Sequence, residues 1–447
     1  MTTLSPPTTD TSLLSLLLSG ERFWPTEPKC AHDLGLSETF LDTMVAKLLL
    51  SSGSVSGRGI ATELCLPFKI TEAALERLRN RRLVTHVGSS SFNDYVYGLS
   101  DEGRSRAQSF HGSCSYIGPA PVPLDDYVIS VEAQATGEDP IRRGELSDSF
   151  QDISIAGDLL DLLGPAVNSG SGMFLYGAPG NGKSTLADRI TSCFGQEIWL
   201  PYAIIDGGQI ITLFDPAYHR AAESPNATTD WDARWVRVSR PTVVVGGELT
   251  MENLEIRHDS VTHVSEAPLQ MKSNCGCLLI DDFGRQRISP EALLNRWIVP
   301  LENQVDYLTL ANGKKLQVPF RQLIIFSTNL APSDLVDEAF LRRIPYRIEL
   351  TDPDEEEFHH LFQIAANTIG CYYDPDGVDH LLNHYYRPFN RPLRRCHARD
   401  LLLQIKHYCT YNELPFEMLA EHFDRIVGGF FTEIETLGNR RSGGPAV

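Results

Sequence analysis

The stretch from Met173 to Leu186 limits the possible folds of this chain more than any other. Met173-Phe174-Leu175-Tyr176 is a short apolar run of the kind that forms a buried strand. Gly177-Ala178-Pro179-Gly180-Asn181-Gly182-Lys183-Ser184 follows and fits G-x-x-x-x-G-K-[ST] at every fixed position. Leu186, Ala187 and Ile190 then recur at helical spacing. A strand, a glycine-rich loop and a helix in this order fold backbone N–H groups around a phosphate chain. The dipole end of the helix points at the same place. In such a loop Lys183 reaches the β- and γ-phosphates, and the Ser184 hydroxyl ligates Mg²⁺. The expected nucleotide-binding residues are therefore Gly177, Pro179, Gly180, Asn181, Gly182, Lys183, Ser184 and Thr185. The expected ligands are ATP and Mg²⁺.

Composition excludes several classes. The chain has 447 residues, enough for more than one domain, with 42% hydrophobic and 22% charged residues. A net charge of −19 argues against wholesale wrapping of nucleic acid. No apolar run reaches membrane-spanning length; Leu13 to Leu18 is too short and lacks the basic flank of a secretory signal. The nine cysteines are scattered and odd in number, and Cys275-x-Cys277 is not zinc-finger spacing. A reduced, cytoplasmic compartment is the expectation.

Residues 1–35 are Ser/Thr/Pro-rich and read as a flexible segment. Residues 36–112 read as three helices and a β-hairpin. The first helix opens at Ser37 and Glu38, the second holds Ile60, Ala61 and Leu64, and the third begins at Thr71. Leu83–Val87 and Tyr95–Leu99 flank Gly88-Ser89-Ser90-Ser91, a hairpin pattern, and Ser100 starts a last helix. This order resembles a winged helix–turn–helix domain, which places its third helix in the DNA major groove. Lys69, Arg77, Arg79, Arg81 and Arg82 are then candidate DNA contacts, diluted by Glu72 and Glu76. The alternative is a protein-docking module with solvated charges. The Pro-rich run Gly118 to Pro123 marks residues 113–135 as a stiff linker. Asp161 to Pro165 reads as a helix end.

Cys277-Leu278-Leu279-Ile280-Asp281-Asp282 is a buried-strand pattern ending in two carboxylates, the Walker B arrangement. Asp281 is the expected Mg²⁺ partner and Asp282 the residue that orients and polarises the attacking water. A third strand, Leu323 to Asn329, ends in an amide suited to positioning that water. Arg342 and Arg343 follow and suit an arginine finger donated to a neighbouring subunit's nucleotide. Arg399, at the start of an apolar-periodic helix, suits nucleotide contact from a lid.

Phosphate loop, Asp-Asp strand end, Asn-tipped strand, arginine pair and lid arginine, in this order, resemble an AAA+ ATPase over about residues 130–430. The resemblance implies an α/β P-loop NTPase (AAA+) αβα sandwich over 136–350 and an all-α lid over 351–430. A flexible tail, 431–447, follows, and the winged helix precedes. It also implies a homo-oligomeric ring, hexamer favoured, that hydrolyses ATP between subunits to remodel or assemble a macromolecular partner. A DNA-directed loader or regulator is one alternative. A non-hydrolysing assembly switch is another, because many relatives carry Glu where Asp282 stands. Asn312-Gly313 between alternating runs predicts a hairpin at 305–318. A hairpin there resembles the pre-sensor hairpin clade, which includes MoxR-type chaperones and enhancer-binding activators. The span from Lys183 to Asp281 exceeds a minimal core, and a second hairpin is expected at 202–213. His380 and His384 are spaced i, i+4 with no third ligand, so ordinary lid surface is expected there.

Overall fold

The computed structural model describes residues 23–90, 94–135, 140–150, 157–170, 172–195, 197–222, 231–336 and 338–431. At its centre lies a five-stranded parallel sheet. The strand order is Thr242–Val245, Cys277–Ile280, Leu323–Thr328, Met173–Tyr176, Tyr346–Glu349. Every residue of Cys277–Ile280 and Leu323–Thr328 is buried, because helices cover both faces of a parallel sheet. Alternate residues of one strand enter opposite layers. Phe174, Leu278, Ile280, Ile324 and Phe326 pack on Leu293, Leu294 and Trp297 of the Pro290–Asn303 helix. Met173, Leu175, Leu279, Leu323 and Ile325 pack on Leu163 and Ala166 from one helix and on Leu186 and Ile190 from another. The first of these helices runs Gly157–Asn168, so it continues past Pro165 where a helix end was expected. Proline removes a single donor there, and the burial of Ala166 and Val167 holds the last turn in place.

A second β body is assembled from separate parts of the chain. Its sheet order is Arg257–Asp259, Val264–Glu266, Gln209–Thr212, Ala203–Asp206, Val122–Pro123. The hairpin expected at 202–213 is present as Ala203–Asp206 against Gln209–Thr212. The other expected hairpin, Val305–Thr309 against Lys315–Pro319, turns Leu308, Leu316 and Val318 into the same core as Ile204, Ile211 and Leu213. The two hairpin tips meet where Lys314 Nζ donates to Asp206 Oδ2 at 2.6 Å. The stretch read as a linker, 113–135, is built into this body. It supplies the strand Val122–Pro123 and the helix Leu124–Gln134, with Tyr127 fully buried. Pro123 is tolerated because its strand is the sheet edge.

The N-terminal part holds helices Glu38–Ser52, Gly57–Glu63, Phe68–Asn80 and Asp101–Ser113. The strands Val84–Ser90 and Asp94–Leu99 pair antiparallel, and Ser54–Ser56 adds a third strand. Ser37 and Ser100 cap their helices by accepting from Phe40 N and Gly103 N. The basic residues expected to form a patch are partly committed elsewhere. Arg77 and Arg81 both pair with Asp42, which is only 4% exposed, and Arg79 lies 3.4 Å from His86. An almost buried carboxylate needs such partners, which is why these guanidinium groups turn inward.

This part is fastened to the second β body by a buried arginine. Arg234 binds Asp232 at 2.7 Å and donates to the carbonyls of Leu34 and Pro121. Trp24, Trp199, Trp231 and Trp235 cluster beside it. The lid is a helical layer with its own core, built on Glu355–Ile369, Pro375–Leu381, Arg395–Tyr411 and Ala420–Phe430. His380 pairs with Asp424 and stacks on His384. Among the described residues no group of His, Cys, Asp and Glu is arranged to hold a metal by itself. No described helix is long and apolar enough to cross a membrane.

Candidate functional site

The phosphate loop leaves the Met173–Tyr176 strand and enters the Lys183–Ser192 helix. Two of its glycines are required by their surroundings. Gly177 has φ +140°, and a Cβ on it would lie 2.4 Å from the Leu350 carbonyl oxygen. Gly180 has φ +85°, and a Cβ there would lie 2.6 Å from Cys396 Sγ on the lid. Any larger residue forces the loop away from the strand exit or from the lid. Pro179 and Thr185 are exposed, and Gly182, at φ +82°, precedes the helix.

Lys183 is buried, and its ammonium donates to the carbonyls of Gly177 and Ala178 at 3.0 Å each and to Asn329 Oδ1 at 2.8 Å. Burial pushes its pKa down, the carboxylates of Asp281 and Asp282 oppose that, and Arg394 adds to it. Ser184 Oγ donates to Asp281 Oδ2 at 2.8 Å, and Ser327 Oγ donates to Asp281 Oδ1 at 2.7 Å. Asn329 Nδ2 donates to Asp282 Oδ1 at 3.2 Å. Sheet order explains this convergence. The Leu323–Thr328 strand lies between the strand that feeds the loop and the strand that ends in Asp281. Its tip therefore carries Asn329 to both Lys183 and Asp282. Asp282 is exposed and sits at φ +50°, a conformation that costs a non-glycine residue energy.

The chemistry of the donors suits Mg²⁺. A hydroxyl and a carboxylate are hard oxygen ligands, and Mg²⁺ takes few protein ligands, completing its shell with water and phosphate oxygens. Ser184 and Asp281 are the residues that would hold it.

Three expected residues are placed differently from one another. Arg342 follows the short Glu338–Leu341 helix and is exposed, and its side chain makes no hydrogen bond or ion pair among the described residues. Arg343 is bound to Glu302 at 2.6 Å. Arg399 is exposed on the Arg395–Tyr411 helix, and its side chain has no hydrogen bond to the loop. The lid arginine beside the loop is Arg394, which sequence reasoning missed. Its Cβ lies 3.8 Å from the position a Cβ on Gly180 would take, and it pairs with Asp352. Arg394 is the N-cap of the Arg395–Tyr411 helix, a position that no local sequence signal marks.

The lid also holds the loop directly. Cys396 N donates to the Gly180 carbonyl at 2.9 Å. The buried Asn181 amide donates to Asp352 Oδ1 at 2.8 Å and to the Leu350 carbonyl at 3.3 Å. The Asn181 carbonyl accepts from Arg395 N at 3.4 Å.

The family model that matches this chain is described as a domain of unknown function (DUF8689) and covers residues 354–427, within the lid. No curated protein matches. NtrX from Brucella abortus is a similar solved structure, 15% identical, covering 60% of this chain and 54% of that one, with a TM-score of 0.37. The same protein in complex with ADP is 14% identical, with coverages of 72% and 64% and a TM-score of 0.37. A RuvB variant from Thermotoga maritima is 12% identical, with coverages of 60% and 69% and a TM-score of 0.37. The chain thus spans little more than half of the first NtrX structure. At such identities the assignment rests on the chain's own geometry. With a glycine-rich loop feeding a helix from the interior of a parallel sheet, and Asp281 facing Ser184 across it, the fold is that of a P-loop nucleoside triphosphatase.

Proposed function

We propose that this chain is a Mg²⁺-dependent ATPase of the AAA+ kind that remodels or assembles a macromolecular partner. One observation carries the reading: the hydrogen-bonded set Lys183–Asn329–Asp282, beside Ser184–Asp281–Ser327. The groups that bind phosphate, hold the metal and activate water are within reach of one loop, and the finger is what a neighbouring subunit adds. Lys183 exchanges its carbonyl partners for phosphate oxygens. Ser184 and Asp281 hold Mg²⁺, which neutralises phosphate charge when bound. Asp282 accepts a proton from the attacking water, and Asn329 fixes the direction of that carboxylate. The exposed position of Arg342, and its lack of a side-chain partner among the described residues, support its role as the finger that reaches a neighbouring subunit's nucleotide, in preference to the Glu302-bound Arg343. Arg394, in preference to Arg399, is the lid arginine of this site. The finger's action in trans requires an oligomer, and the AAA+ resemblance favours a hexameric ring.

In this reading residues 36–112 recruit the partner, 136–350 form the nucleotide domain, whose second β body also takes in 122–134, and 351–430 form the lid. The hairpin between the Pro290–Asn303 helix and the Leu323–Thr328 strand supports the pre-sensor hairpin clade. Nine unpaired cysteines suit a reducing, cytoplasmic compartment.

The N-terminal module, read as a winged helix, is proposed to dock protein. With Arg77 and Arg81 held by Asp42, the exposed face of the Phe68–Asn80 helix presents Lys69, Glu72, Glu76 and Arg79, an electrically balanced surface. A salt-dependent shift of duplex DNA by the full chain, lost on Lys69→Ala with Arg79→Ala, would restore the DNA-directed alternative. The ATPase reading is tested by phosphate release from the purified protein. Asp282→Asn should lower turnover roughly 10²-fold or more while ATP still binds. Turnover at the wild-type rate removes Asp282 from the mechanism.

A further inference from the structure

Three separate elements meet on Asp352, which lies in the link between the Tyr346–Glu349 strand and the lid. One oxygen, Oδ1, accepts from the Asn181 amide of the phosphate loop and from the Arg394 guanidinium of the lid. The buried Asn181 side chain is taken up by Asp352, the Leu350 carbonyl and Arg395 N, while in a phosphate cradle backbone N–H groups do the binding. Arg394 is close enough to the loop to act on Lys183 electrostatically. The side chains of Asp352 and Arg394 are 38% and 20% exposed, so water only partly screens their pairing.

We infer that Asp352 is a positioning residue that holds Arg394 in reserve and releases it to the phosphates of a bound nucleotide. This rests on the nucleotide reading above. A triphosphate on the loop brings several negative charges to the same neighbourhood. The Arg394 guanidinium then has two competing anions, the Asp352 carboxylate and the phosphate oxygens. When the phosphates win, the Arg394–Asp352 pair breaks. Asp352 keeps its bond to Asn181, and the backbone bonds from Cys396 N and Arg395 N still join the helix start to the loop, so the loop retains its shape as the Arg394 side chain swings from carboxylate to phosphate. The position of Arg394 is thus conditional on phosphate, and the strength of one ion pair sets the threshold. No bond is made or broken covalently; the exchange is of hydrogen-bond acceptors for one cation.

Asp352→Asn isolates the charge, because the new amide oxygen still accepts from Asn181. ATP should bind this variant roughly 2- to 5-fold more tightly, the range of a part-exposed ion pair. The gain should vanish when Arg394→Ala is added, and Asp352→Glu should restore the wild-type affinity. A fluorescent ATP analogue titrated into full-length protein reads all four. Weaker binding in Asp352→Asn, or an equal gain with and without Arg394, overturns the proposal. Hydrogen exchange without nucleotide separates this from failure of the nucleotide reading. The latch predicts faster exchange across 391–400 in Asp352→Asn, whereas unchanged exchange there overturns it. Lys183→Ala that binds ATP as well as the wild type counts instead against the nucleotide site itself.

Discussion

Replacing Arg234 with alanine should unfasten the N-terminal module from the inserted β body. The Arg234 and Asp232 side chains are only 3% and 5% exposed. The guanidinium donates to both Asp232 oxygens, to the Leu34 carbonyl and to the Pro121 carbonyl, so a single side chain joins three stretches of the chain. Removing it leaves a carboxylate buried without its countercharge, a change that costs about 3–5 kcal/mol. The Leu34 and Pro121 oxygens also lose a donor, but these losses overlap with the first and do not simply add. A body of this size shifts its midpoint by about 2–4 °C per kcal/mol, so the lower figure predicts a fall of roughly 6–12 °C. The assay is built in. Four of the five tryptophans stand in the cluster beside this pair, so their fluorescence reports the junction directly. Arg234→Met combined with Asp232→Ala removes both charges and should lose less than half as much as Arg234→Ala alone. The reasoning is refuted if Arg234→Ala unfolds within about 1 kcal/mol of the wild type, or if the double variant is the worse of the two.

Other perturbations probe the site and the lid. Lys183→Ala should weaken ATP binding roughly 10- to 100-fold, the worth of a hydrogen bond from a charged donor, as measured by calorimetric titration. Arg342→Ala should lower turnover by about 10³-fold or more with little change in ATP affinity, while Arg343→Ala, which loses the Glu302 pair, should keep most of its turnover. Equal damage from both substitutions would contradict the preference for Arg342. Burial, reinforced by Arg394, pushes the His397 imidazole down to about 4. The unfolded chain takes up this proton as pH falls through about 6.5, whereas the folded lid refuses it until about 4. The contribution is therefore full above pH 6.5 and declines between those values, by up to about 3 kcal/mol. Melting curves over that range should flatten in His397→Phe, and an unchanged slope would assign the acid sensitivity elsewhere.

The parts of this protein that were legible in the sequence are those whose signal is local. The phosphate loop, the Asp281 strand end and both hairpins each depend on a few adjacent residues whose backbone geometry the side chains dictate. Phe326 and Leu278 could be assigned to a buried sheet because parallel strands read as unbroken apolar runs. The second β body was not legible. Its core joins Tyr127 and Val131 to Ile204, Val238, Met271 and Leu316, residues far apart in sequence that no periodicity connects. Pro-rich 118–123 looked like a linker because proline discourages strands, yet an edge strand accepts it. The surroundings of the basic cluster were hidden for a different reason. Charge is visible in sequence, but the nearly buried Asp42 that claims Arg77 and Arg81 lies on another helix. Arg394 was passed over for Arg399 because apolar spacing marks the middle of a helix better than its first turn.

The central claim is that ATP is hydrolysed at a site completed by a second copy of the chain. It is tested most directly by mixing two inactive variants. Lys183→Ala retains Arg342 but lacks a working loop, and Arg342→Ala retains the loop but lacks the finger. Each alone should release almost no phosphate. Mixed in equal amounts, they should regain a measurable fraction of wild-type turnover, because some loops then face an intact Arg342. A mixture as silent as its components, with a wild type whose rate per subunit is unaffected by dilution, would contradict the account.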